Sequence, residues 1–481
     1  MRLSSPMRFP QALARAPRLL LIASLPLALG ACASLSADRG LGPVQQAARQ
    51  HLGQDLTVAK DAASQDSIAR RVSDLLAAEL TADSAVQIAL LNNPGLQAKF
   101  QELGLAEAEL VQASRLPNPG FSFGRSKKGG EREIDRAISF DLGHLITLPL
   151  NQKLEQRRFA AQQLHTSQQM LSLAAETRKA FYRAAAAEQT LRYLEQVREA
   201  ADAGAEMARR LARAGNINKL EQAREHAFYA EAVLNLARGQ QASNSARERL
   251  IRLLGLWGAQ TQALKLPERL PDLPGDIREQ PEIEQQAFAQ RLDVQAAKQQ
   301  SEAMARNLGL NKITRFVNVL ELGLINNSSN EAPNQTGYEL SIELPLFDWG
   351  DARVARAESL YMQSLHSAAQ VAVDARSEVR EAYLGMRSSY DIARHYRDDI
   401  VPTAKRISDE NLLRYNGMFI SVFELLADAR SQMASVMGAI AAQRDYWTAR
   451  ADLDMALIGK PSLSGPAEAA GSASTAAPAG H

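Results

Sequence analysis

The stretch "GYELSIELPLFDWG", residues 337–350, decides how the rest of the chain is read. Tyr338, Leu340, Ile342 and Leu344 alternate with Glu339, Ser341 and Glu343, the period-two pattern of a strand with one apolar and one polar face. The run is about nine residues long, the length that crosses a bilayer as one stave of a tilted β-barrel. A helical pattern of several dozen residues follows directly.

Working outward, the same plan recurs about 200 residues upstream. "NNPGLQA" at 92–98 is echoed by "QRLDVQA" at 290–296, "TLPLNQ" at 147–152 by "ELPLFD" at 343–348, and "ARAGNI" at 212–217 by "RYNGMF" at 414–419. Three echoes in one order at nearly one offset mark a duplicated unit. Each unit opens with a moderate helical region: Ala82 to Arg115, with a break expected at Pro94-Gly95, and Glu284 to Leu310. Two extended runs then flank a turn-rich loop. These are "GFSFGR" and "IDRAISFDL" around "SKKGGERE", and "RFVNVLELGL" and "YELSIEL" around "INNSSNEAPNQTG". Arg136 breaks the apolar phase of Ile134, Ile138 and Phe140.

After each Leu-Pro-Leu comes a long helix. The first is read from residue 151 to Ala214, on the order of 95 Å at the rise of an α-helix. The second is read from Asp351 to Tyr415, with Gly385 and Pro402 as points where it can kink. Each ends at a glycine, Gly215 or Gly417, expected as a left-handed cap. The chain then returns as a second helix, Asn218 to Leu254 and Ser421 to Ile458. The fold class is mainly α with a small β part: a duplicated unit of long helical hairpin plus β-hairpin.

The leader is the most specific local signal. A basic segment, an apolar run "LLLIASLPLALGA" and then Cys32 follow the order of a signal peptide, and Pro26 interrupts the run as a membrane span. "LGAC" at 29–32 resembles a bacterial lipobox, which implies removal of residues 1–31 and lipid on Cys32. Ala33 in place of Asp implies the outer membrane. Cys32 is the only cysteine of the chain, which excludes an intramolecular disulfide. Residues 32–81 read as a lipidated segment and linker, irregular with short helical pieces over 33–75, residues 82–280 and 281–461 as the two repeats, and 462–481 as a disordered tail of small residues. The net charge is +1, and loss of the four arginines of the leader makes it −3, so nothing suggests a nucleic-acid partner. The seven histidines show no i, i+4 pair, and no phosphate loop or nucleophile motif occurs. No enzyme, cofactor or metal site is expected.

Four strands cannot close a barrel, and an open sheet edge cannot face lipid because its backbone groups have no water to bond. Several chains must contribute strands if these hairpins lie in a membrane. Tyr338, Leu340, Ile342 and Leu344 would then face lipid and Glu339, Ser341 and Glu343 a wet lumen.

"LTADSAVQIALLNNPGLQA", "ASRLPNPGFSF", "RLDVQAA", "IELPLFDWG" and "RYNGMFISVFELLADAR" resemble the TolC-like outer-membrane factor family over nearly the whole mature chain. Leu292 stands where that family usually carries proline. The resemblance implies a homotrimer that shares one α-barrel and one β-barrel, lipid-anchored in the outer membrane and extending into the periplasm. It implies a passive exit duct for drugs or metal ions, joined through a periplasmic adaptor to an inner-membrane pump. It places the adaptor-contacting tips at Arg213, Gly215, Asn216, Ile217 and Asn218, and at Tyr415, Asn416, Gly417, Met418 and Phe419. Glu221, Glu424 and Asp428 are the candidate gate, each a ring of three charges in a trimer, balanced by Arg224 or Arg430. The alternatives are a polypeptide-secretion (type I) duct, which would use the same barrel, a periplasmic adaptor, a structural lipoprotein and a coiled-coil rod. An adaptor would carry one helical hairpin, and neither a tether nor a rod needs amphipathic strands.

Overall fold

Residues 34–277, 279, 281–315, 320–343, 346–417 and 419–463 are described by a computed structural model of the chain. The leader, Cys32, Leu344, Met418 and the tail from residue 464 lie outside them.

Capping decides where the helices begin. After α1 (Gly42–Leu52), α2 (Ala62–Ala77) starts at Asp61, whose side chain accepts the Ser64 N–H while Ser64 reciprocates. Thr81 and Ser84 repeat this box at α3 (Ala82–Asn92). The segment read as irregular with short helical pieces holds helices of 11 and 16 residues, and Ile68, Val72 and Leu76 of α2 form a buried stripe of period four. A break at Asn93 separates α3 from α4 (Pro94–Ala113).

The sheet follows. Strands β1 (Gly120–Lys128) and β2 (Glu131–Asp141) are longer than expected, because Ser126, Lys127 and Lys128 continue the ladder opposite Glu133, Arg132 and Glu131. Only Gly129 and Gly130 remain as the turn, with Gly129 at φ 64°. The first long helix, α5 (Leu142–Arg213), starts nine residues before the expected position and carries Pro149 inside it. The cause is Asp141, whose Oδ1 accepts the His144 N–H at 2.8 Å and caps the helix directly off β2. Helix α6 (Lys219–Leu254) returns, followed by α7 (Ala259–Ala263), α8 (Ile283–Gln290) and α9 (Leu292–Thr314).

In the second repeat β3 (Leu320–Ser329) pairs with β4 (Gln335–Ile342), and β2 pairs with β3, so one antiparallel sheet has the order β1-β2-β3-β4. Helix α10 (Asp351–His395) runs through Gly385 without a break. A π turn at Tyr396–Ile400, just before Pro402, separates it from α11 (Val401–Asn416), and α12 (Val422–Ala456) returns.

The chain forms two compact units that cut across the repeats. One comprises the residues up to Gly40, Leu103–Gln162 and Gln299–His366, and contains the whole sheet. Its N-terminal segment is held by Glu107, which accepts the Ser36 N–H at 2.9 Å. Gly40, at φ 73°, lies so close to the Phe159 ring that a Cβ would stand 2.3 Å from it. The other unit comprises Leu41–Glu102, Gln163–Lys298 and the residues from Ser367 on. Its core joins α2 and α3 to the small stripe Ala180–Ala186 of α5 and to Leu250, Ile251 and Leu254 of α6. A second cluster joins Ile283 and Ala287 to α10 and α12.

Two junctions hold this unit. Asn92 donates its side-chain amide to the Leu254 and Gly255 carbonyls at 3.1 and 2.7 Å, and Asn93 to Leu253 at 2.9 Å, so the α3–α4 break caps the end of α6. At the α8–α9 break, Arg291 is only 1% exposed. Its guanidinium donates to Asp293, to Glu378 of α10 at 2.6 Å and to the Ala456 carbonyl of α12 at 3.2 Å. The two carboxylates hold the guanidinium pKa above its usual value against the desolvation that lowers it.

Candidate functional site: the two-faced sheet and the hairpin tips

Strand register turns the alternation of single strands into a surface. Direct cross-strand partners share a face, so Phe121, Ile138, Leu324 and Tyr338 form one apolar row across all four strands. Phe140, Leu322 and Leu340 form the next row, and Leu320 and Ile342 the one after. Tyr338, Leu340 and Ile342 are 79%, 54% and 51% exposed, so none of the described residues covers this face. The opposite face carries Ser139, Gly323 and Glu339 in one row and Asp141, Glu321 and Ser341 in another. Arg136, the exception in the apolar phase, falls in the row of Phe123, Asn326 and Thr336, and its guanidinium donates to Asn326 at 3.2 Å. That row ends the apolar band. Among the described residues, strands β1 and β4 each have one neighbour, which leaves an unpaired edge on both sides. No described helix is long and apolar enough to cross a membrane.

The tips of the two helical hairpins differ. Gly215 has φ 76°, and the Asn216 N–H reaches back to the Leu211 carbonyl at 2.9 Å, the Schellman arrangement expected. Gly417 is not left-handed: its φ is −82°. A Cβ there would stand 2.8 Å from the Phe419 ring, which would have to shift to admit it. Phe419 itself is 83% exposed. Arg213, Asn216 and Asn218 are exposed, Ile217 and Tyr415 half-buried, and Asn416 exposed.

The acidic candidates separate. Glu221 closes the cap of α6: its carboxylate accepts the Asn218 N–H at 3.0 Å and the Asn218 side chain accepts the Glu221 N–H at 2.9 Å. Glu424 is exposed in the first turn of α12, where Ser421 caps its N–H. Asp428 is half-buried, and its Oδ2 has no hydrogen-bond partner among the described residues. Arg430 pairs with none of these. It lies 3.6 Å from Glu225 and 4.2 Å above the Phe228 ring. Glu225 is buried, and burial pushes its carboxyl pKa up while Arg430 opposes the shift. The sequence reading missed Glu225. The available signal is its place on the stripe Glu221, Glu225, Phe228, Ala232, which is the inward face of α6. Among the described residues, no group of three or more His, Cys, Asp and Glu stands close enough to hold a metal ion.

The fold is similar to that of solved bacterial outer-membrane channels. The VceC channel of Vibrio cholerae superposes with a TM-score of 0.67 at 16% identity, over 79% of this chain and 96% of that one. A CusC structure gives 0.63 at 19% identity, over 81% and 92%. Residues 85–256 match the outer membrane efflux protein family model. The cobalt-zinc-cadmium resistance protein CzcC of Cupriavidus metallidurans is 25% identical over 280 residues, 56% of this chain. That alignment spans 64% of the length of CzcC. The chain thus has the fold of these channel structures, and its residues 85–256 are similar to the outer membrane efflux protein family.

Proposed function

We propose that the protein is the outer-membrane duct of a tripartite export system, a passage without catalysis. The observation that carries this is the sheet: apolar in rows on one face, polar on the other, and unpaired at both edges. Three copies would close those edges into one barrel, with Tyr338, Leu340 and Ile342 toward lipid and Glu339 and Ser341 toward the lumen. Lipid on Cys32 would anchor each copy. The tips from Arg213 to Asn218 and from Tyr415 to Phe419 would meet a periplasmic adaptor, itself joined to an inner-membrane pump. Likeness to a cobalt-zinc-cadmium resistance protein supports transition-metal cations as cargo ahead of drugs. Selection in such a duct comes from radius and from rings of side chains at the narrow end. Glu424 and Asp428 would form such rings. Glu221 is the weaker candidate because its carboxylate already closes a helix cap.

The test is conductance of the purified protein in a planar bilayer. Discrete steps are expected from the wild type, with openings several-fold more frequent in Glu424→Ala and Asp428→Ala. Unchanged variants would remove the gate assignment and keep the duct. Folded protein that gives no steps would overturn the duct itself.

A further inference from the structure

Charges at the turn end of the sheet are sorted by face. The helices meet the sheet at one end: α5 starts directly after Asp141, α9 precedes β3 and α10 follows β4. Both turns, Gly129–Gly130 and residues 330–334, lie at the other end. Toward them, the face of Phe121, Ile138, Leu324 and Tyr338 continues through the row of Phe123 and Arg136. Next come the row of Arg125, Ile134 and Ser328 and the row of Lys127 and Arg132. Beyond the apolar rows this face therefore carries four cations, Arg136, Arg125, Lys127 and Arg132, and no carboxylate. The opposite face carries Asp135, Glu133 and Glu131, with Lys128 across from Glu131. All four cations are exposed, and none forms an ion pair among the described residues; Arg136 donates to Asn326 at 3.2 Å. Glu331 lies in the β3–β4 turn, outside these rows.

The order along the face tells what the cations meet. Phe121 and Tyr338 share one row, Phe123 stands in the next, and the cations follow. Aromatic rings at the rim of an apolar band, with cations just beyond, match a bilayer read from acyl chain to headgroup. Successive rows on one face are about 7 Å apart along a strand. Arg125, Lys127 and Arg132 thus stand within about 14 Å, along tilted strands, of the row that ends the band, which is headgroup depth. Exposed cations near a negative lipid surface each add to the attraction. The carboxylates turned to the other face would repel the same headgroups if the register slipped by one residue.

We propose that Arg125, Lys127, Arg132 and Arg136 form a docking patch for the phosphate groups of a phosphorylated lipid in the leaflet at the turn end of the sheet. The proposal rests on the duct reading, which puts the apolar face against lipid and the turns at the outer surface. It also accounts for Arg136, the exception in the apolar phase: that cation stands at the boundary of the band, beside the headgroups, and not within it.

Native mass spectrometry of the full chain in detergent tests the patch. The probe is lipid A with two phosphates, compared with the same lipid after both phosphates are removed. The phosphorylated form is expected to bind at least about tenfold more tightly, and Arg125→Gln, Lys127→Gln and Arg132→Gln combined to abolish most of that preference. Arg125→Gln or Arg132→Gln alone, each a change at one exposed side chain, is expected to lose about twofold to fivefold, so the result does not depend on the triple variant folding. Lys128→Gln removes a charge from the same turn on the opposite face, and is expected to change binding less than about twofold. Equal binding of the two lipid forms by the wild type would overturn the patch, as would variants that keep the full preference. An equal loss in Lys128→Gln would overturn it too, because net charge and not the face would then decide. Conductance is a separate reading: conducting protein without the lipid preference sinks the patch and leaves the duct, and a preference lost in the variants upholds the patch whether or not steps are seen.

Discussion

The two helix breaks, at Asn93 and at Arg291, occupy the same place in their repeats and are held by different chemistry. Asn92 and Asn93 are neutral, and their amides donate only to the carbonyls that end α6. Arg291 caps the end of α12 as well, but it also reaches Glu378 on α10 and Asp293 on its own helix. A neutral amide can satisfy orphan carbonyls at a helix end at little desolvation cost. A buried guanidinium is tolerable only when every partner is in place, and then it ties three elements at one point. The second junction is therefore the less replaceable of the two.

The sharpest break in the comparison is Arg291→Ala. It would leave Asp293 and Glu378 facing each other without their cation, and a loss of about 3–5 kcal/mol is expected. Denaturant unfolding followed by circular dichroism would read it. Asn92→Ala should cost less, about 1–2 kcal/mol, because only carbonyl partners lose donors. If both variants lost the same amount, charge would not be what distinguishes the junctions.

The smallest effect concerns the tips. Burial raises the Glu225 pKa, so the folded state binds a proton more readily than the unfolded state, and stability contributed by this group falls as pH rises through the folded pKa. Glu225→Gln should therefore flatten the stability profile as pH rises above the usual glutamate range and leave neutral-pH stability unchanged or slightly higher. A marked loss at pH 7 would show instead that the pairing with Arg430 outweighs desolvation.

Much of this was legible before any coordinates. The duplication, the strand hairpins and the paired long helices follow from periodicity and from three echoed motifs, and local chemistry set most of the helix starts. Leu340 and Ile342 read as one face because strand alternation is a property of neighbouring residues. The start of α5 was missed because Asp141, at the end of a strand, also serves as a helix cap. Gly417 was misread because the crowding by Phe419 is a contact, whereas a left-handed cap is a local conformation.

The sequence by itself determined the repeat, the element types and the amphipathic faces, since these depend on periods of two and 3.6 residues and on capping within four. Only the tertiary structure decided which strands are neighbours, that Arg291 is buried among carboxylates and that Arg430 selects Glu225 over Glu221. It also decided that a π turn interrupts the outgoing helix of hairpin two. The pairing of β2 with β3 and the contacts of Arg291 with Glu378 and of Arg430 with Glu225 join residues 87 to 205 positions apart, and no local pattern encodes that distance.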